Sequence, residues 1–125
     1  MRIAVLPVSV AALLLLGMPA ADAQSLTGSW RDGRGGRNSV MTIAPGPGGS
    51  YGVNIEVAVP RCIGSIDATG RLAGGKLVAT ATEGGETCTL TIEQRGAGLS
   101  VSESRCLFFH GASCEFSGSY QRGSR

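Results

Sequence analysis

Apolar and polar residues alternate with a period of two along most of this chain. The clearest run is Tyr51, Val53, Ile55, Val57 and Val59, with Gly52, Asn54, Glu56 and Ala58 between them. Successive side chains of an extended chain point to opposite faces, so this run predicts a strand with one oily face and one wetter face. The alternation recurs at Cys88, Leu90 and Ile92 against Thr87, Thr89, Thr91 and Glu93. It returns at Cys114, Phe116, Gly118 and Tyr120 against Glu115, Ser117, Ser119 and Gln121. Working outward from these runs predicts eight strands, at residues 26–31, 38–43, 50–59, 62–71, 76–83, 87–94, 98–104 and 113–121. Glycine-rich turns at residues 33–36, 45–49, 74–75, 84–85 and 96–98 separate most of them, and no segment carries a helical stripe.

Eight short strands with short connections predict an all-β fold, an eight-stranded antiparallel up-and-down barrel, with a two-sheet β-sandwich as the alternative. Alternate loops of such a barrel share one end. With the first strand running upward, the top end carries the loops near residues 32–37, 60–62, 84–87 and 105–113, and Cys62, Cys88, Cys106 and Cys114 all map to it. Four cysteines allow three pairings. The simplest for this topology joins Cys62 to Cys88 across next-nearest strands and Cys106 to Cys114 around a single loop.

The N-terminus changes the chemical setting. Met1-Arg2, an apolar stretch from Ile3 to Met18 and the small-x-small site Ala21-Asp22-Ala23 have the three parts of an export signal. Residues 1–23 are therefore expected to be cleaved, and residues 24–125 to form a single barrel domain starting at Gln24. Pro7 interrupts the apolar stretch, which falls short of the ~20 residues that span a bilayer, so no membrane span is expected in the mature protein. An even cysteine count after an export signal implies a periplasmic or secreted protein with two disulfides. The 125-residue chain less its first 23 leaves 102 residues, with one Trp, two Tyr and three Phe in the whole sequence. A core this modest gains from cross-links worth about 2–4 kcal/mol each.

Charge narrows the function. A net charge of +2, without a basic stripe or interleaved stacking aromatics, argues against nucleic acid. The loop Cys106-Leu107-Phe108-Phe109-His110-Gly111-Ala112-Ser113-Cys114 is the most suggestive candidate site. Phe108 and Phe109 point to opposite sides of an extended chain, so one exposes a ring on a constrained loop while both could instead plug the barrel end. His110, the only histidine, lies four residues from Cys106 and from Cys114, but zinc needs thiolates that an oxidising compartment removes. No metal, no cofactor and no catalytic residue is expected, because no motif supplies His110 with an orienting partner and a nucleophile. Arg31, Arg34 and Arg37 sit on a glycine-rich loop, with Arg61 and Arg105 expected at the same end. Guanidinium groups grip carboxylates, which points to an acidic partner cleft, although Glu83 and Glu86 at the same end oppose the field. Glu103 falls on the inward phase of Leu99 and Val101, either where its strand leaves the core or beside a rim arginine.

Residues 106–122, Cys-x3-His-Gly-x2-Cys-x-Phe-x-Gly-x-Tyr-x-Arg, resemble the C-terminal strand of small secreted bacterial β-proteins, some of them found with lysozyme-inhibitor domains. Gly28-Ser29-Trp30 is similar to the Gly-x-Trp start of calycin-type barrels. The resemblance implies a periplasmic, calycin-like barrel and inhibition of a lysozyme-like hydrolase. The expected function is therefore an extracytoplasmic protein-binding module, not an enzyme, acting through Arg34, Arg37, Arg61, Arg105, Phe108, Phe109 and His110 at the stapled end. A small-ligand carrier or a structural envelope protein is the alternative.

Overall fold

The computed structural model describes residues 26–123, together with Ala4. The export signal over residues 1–23 and the start at Gln24 lie outside the described residues. Eight strands follow one another: β1 (Gly28–Asp32), β2 (Asn38–Pro45), β3 (Tyr51–Val59), β4 (Cys62–Ala73), β5 (Lys76–Glu83), β6 (Glu86–Arg95), β7 (Gly98–Ser104) and β8 (Gly118–Arg122). Each pairs antiparallel with the next and β8 returns to β1, so the sheet closes into a barrel and the sandwich alternative is set aside. Among the described residues no helix is long and apolar enough to cross a membrane.

The period-two pattern explains the interior. Val53, Ile55, Leu90 and Ile92 face inward with Met41 and Leu77, and all are essentially inaccessible to solvent. Trp30, Phe116 and Tyr120 occupy the larger spaces, and Trp30 Nε1 donates to Leu26 O at 2.9 Å. Burying side chains of this size contributes about 1.5–3 kcal/mol each. Together they pack the barrel interior as a single hydrophobic core.

A buried polar knot completes the closure where β8 meets β1. The ladder between these two strands is short, covering Trp30↔Arg122 and Arg31↔Gln121. Above it, Asp32 accepts the Ser119 N–H at 3.2 Å. Arg37 reaches across to donate to Ser117 O at 2.9 Å and Glu115 O at 3.0 Å. The Tyr120 hydroxyl donates to Phe116 O and meets Ser39 Oγ, both at 2.8 Å.

Two expectations are corrected at the top end. The last strand begins at Gly118, not at residue 113, and residues 105–117 form a long lid across the barrel mouth. The apparent alternation through Cys114 and Phe116 comes from loop residues, one partly and one fully buried, whose partners lie elsewhere: the Phe116 N–H donates to the Glu103 carboxylate at 2.7 Å, where a strand would pair it with a neighbour. The disulfides join Cys62 to Cys114 and Cys88 to Cys106, rather than Cys62 to Cys88 and Cys106 to Cys114. The path of the lid gives the reason. Cys106 leaves β7 beside β6, where Cys88 faces inward at a Cα separation of 4.5 Å, and the chain then crosses the mouth to bring Cys114 to Cys62 on β4.

Candidate functional site

The lid finds a place because the ladder between β4 and β5 is incomplete. Their pairing runs from Thr69↔Thr80 to Ala73↔Lys76 and stops there, leaving the first seven residues of β4 without β5. The lid fills the seam as a short third strand: the Ser65 N–H donates to Phe109 O at 3.0 Å and the Gly111 N–H to Ile63 O at 3.3 Å, around a bridge between Gly64 and His110. A Cβ at Gly64 would collide with the His110 side chain, so the close approach requires glycine at this position.

His110 fixes the underside of the lid. Its Nε2 lies 2.9 and 3.1 Å from the two Glu103 carboxylate oxygens, and its Nδ1 lies 2.6 Å from Gly111 O. All of these partners are acceptors, so the arrangement is fully satisfied when both ring nitrogens carry protons. Phe116 packs edge-on against the imidazole with centroids 4.9 Å apart. Glu103 therefore pairs with His110, and among the described residues with no arginine. This side chain gives the histidine an acidic neighbour that the sequence motifs did not reveal, but both ring nitrogens are spent on holding the lid. The two neighbouring cysteines are oxidised and offer no thiolate.

The two phenylalanines part company. Phe109 turns down against the core, whereas Phe108 is 58% exposed and lies over the β5–β6 turn, where a Cβ at Gly84 would overlap its ring. Leu107, 70% exposed, flanks it on one side, and Ile63, 75% exposed, lies toward the other along β4. Three large apolar side chains thus stand in water on backbone held by two disulfides and a sheet bridge. Leu107 and Ile63 were missed in the sequence; the outward phase of Ile63 between inward Cys62 and Gly64 was the available signal.

Phe108 also divides two grooves. The larger, 610 Å³, runs over the outer face of β2, β3 and β4 and includes Val40, Ala58, Ile63, Phe108, Glu56 and Glu83. The other is bounded by Glu86, Arg105, Leu107 and Phe108.

The arginines are not one cluster. Arg34 donates from Nε and Nη2 to Asp32, both at 2.9 Å, and Arg37 Nη1 lies 3.8 Å from the same carboxylate with its side chain mostly buried. Neither stands free on a flexible loop as expected: Asp32, itself fully buried, recruits both to the knot that closes the barrel. Burial alone would raise the Asp32 pKa, but the hydrogen bonds from Arg34 and the charges of Arg37 and Arg34 outweigh it and hold the carboxyl below its ordinary value. Arg61 and Arg105 are exposed, and both adopt left-handed backbone, with φ of 72° and 63°. Arg61 follows Pro60 in the β3–β4 turn, while Arg105 begins the lid.

No protein-family model and no curated protein matches the chain. Two solved structures do: crystal structures of an Asn-to-Ala and an Asn-to-Gln variant of the fluorescent protein UnaG, each 16% identical. Each superposition covers 82% of this chain and 99% of the other, with a TM-score of 0.51. At that identity the likeness concerns the barrel fold.

Proposed function

We propose that this barrel is an extracytoplasmic protein-recognition module that docks through its stapled lid, with Phe108 at the centre of the contact. The exposure of Ile63, Leu107 and Phe108 on one end carries the reading. Large apolar side chains in water cost free energy unless something covers them, and rings on rigid backbone lose little entropy when they are covered. The packed interior disfavours the carrier alternative. An inhibitor of a lysozyme-like hydrolase is a narrower form of the same reading. Arg61 and Arg105 are then the cations this end presents to a carboxylate cleft, since Arg34 and Arg37 are engaged by Asp32.

The test is capture from the extracytoplasmic fraction on immobilised, oxidised protein, beside a Phe108→Ser control of unchanged melting temperature. The expected result is a defined protein retained by the wild type and lost with the control. Retention that ignores Phe108, or a stoichiometric small molecule in native mass spectra of the purified barrel, overturns the reading. Muramidase assays with chicken-type, goose-type and invertebrate-type enzymes decide the narrower form: if none is slowed by excess oxidised protein, it is discarded.

A further inference from the structure

We infer that the groove beside Phe108 selects a partner segment that presents a basic side chain next to an aromatic or aliphatic one; the inference rests on the docking role proposed above. The sheet register lays out the floor. Asn38, Ala58 and Ile63 are cross-strand neighbours in one outward row of β2, β3 and β4, and Val40, Glu56 and Ser65 are neighbours in the next. Phe108 rises from the lid as one wall, and Glu83, at the end of β5, lines the same groove. Val40, Ala58, Ile63 and Phe108 thus supply apolar surface to one groove.

Among the described residues Glu56 and Glu83 are the only charged side chains lining the groove, and both are exposed. Among the described residues neither forms an ion pair, while Asp32, Glu93 and Glu103 all do. None of the described cations of this end lines the groove: Arg34 and Arg37 are on Asp32, Arg105 is in the groove across the Phe108 ridge, Arg61 is in the β3–β4 turn, and Arg31 borders the groove on β1 as the cross-strand neighbour of Val40. A partner burying an apolar side chain against Ile63 and Phe108 therefore meets two carboxylates without countercharge. A neutral or acidic segment would desolvate them for nothing, whereas lysine or arginine converts the same burial into charge-assisted hydrogen bonds. Charge complementarity selects the partner, and apolar contact supplies the area.

The experiment uses isotope-labelled, oxidised protein and two capped tripeptides, Lys-Phe-Lys and Glu-Phe-Glu, with binding read from backbone amide shifts. The expected result is that Lys-Phe-Lys shifts the amides of Glu56, Ala58, Ile63, Glu83 and Phe108 and binds about fivefold more tightly than Glu-Phe-Glu, as two solvent-exposed charge pairs allow. Combining Glu56→Gln with Glu83→Gln should bring the two peptides to parity without changing the melting temperature. Equal binding of both peptides to the wild type, or a preference that survives the double substitution, overturns the charge selection. In either case, shifts at Leu107 and Phe108 leave the docking role standing. No shift with either peptide at any of these amides removes both.

Discussion

Asp32 shows how one buried carboxylate can redirect residues that look functional. It accepts from Arg34 and from the Ser119 amide and sits beside Arg37, so cations expected to face a partner become parts of the barrel. Asp32→Ala should cost about 3 kcal/mol in chemical denaturation, because it leaves the Ser119 N–H without its acceptor and the largely buried Arg37 guanidinium without its countercharge. The pH dependence has a definite sign. A carboxyl whose pKa is lowered by folding stabilises the native state above its unfolded value of about 3.9, and this contribution is lost as pH falls through the lower folded value. Denaturant midpoints should therefore drop below about pH 4 in the wild type, with the Asp32→Asn variant losing less over the same interval. Tyr120 acts at the other extreme: burial leads the causes that raise its hydroxyl pKa, so stability should decline above about pH 10. Phe108 and Phe109, adjacent in sequence, separate the roles of surface and core. Phe108→Ser should leave the thermal midpoint nearly unchanged, whereas Phe109→Ala, which opens a hole beneath the lid, should cost about 2 kcal/mol. Equal losses in calorimetry would place both rings in the core.

The lid is the element in which the chemistry of this protein concentrates, and its two cross-links do different work. Cys88–Cys106 anchors its start to β6 over a separation of 18 residues, and Cys62–Cys114 anchors its far side to β4 over 52. Chain entropy alone predicts about 3 kcal/mol for the first and about 4 for the second. Paired Cys→Ala substitutions should reproduce that order in urea denaturation, and non-reducing peptide mapping should recover these two linkages. The β-strands were legible because burial on one face imposes a period of two, and seven of the eight lie within three residues of their expected limits at either end. The lid was not. Cys114, Phe116 and Tyr120 keep the period across a boundary where strand begins only at Gly118, so the pattern continued while the structure changed. The pairing was hidden for a related reason: it depends on where the loop crosses, and that follows from the unfilled seam between β4 and β5, which no local pattern encodes. For the candidate site, Phe108 was visible as half of an aromatic pair, but its neighbour Ile63 joins it only through the bridge from Gly64 to His110.

At the scale of the whole molecule, the barrel separates a core-packed interior from an end that carries the exposed apolar side chains, and the proposed docking surface lies at that end. Purified oxidised protein should give a native mass spectrum with no bound small molecule, since Trp30, Phe116, Tyr120 and the aliphatic rows occupy the space. The seam has a further consequence. Until the lid docks, the upper half of β4 carries backbone groups on its β5 side with nothing to bond, a template for strand addition by another chain. The lid is contributed late in the sequence, from beyond β7, and is cross-linked to the barrel only on oxidation. A reduced chain can therefore build most of its ladder and still display an open edge, with Ile63 on the same strand. Its hazard is self-association, and the Cys62–Cys114 bond, by holding the lid over that edge, is as much a guard against it as a source of rigidity.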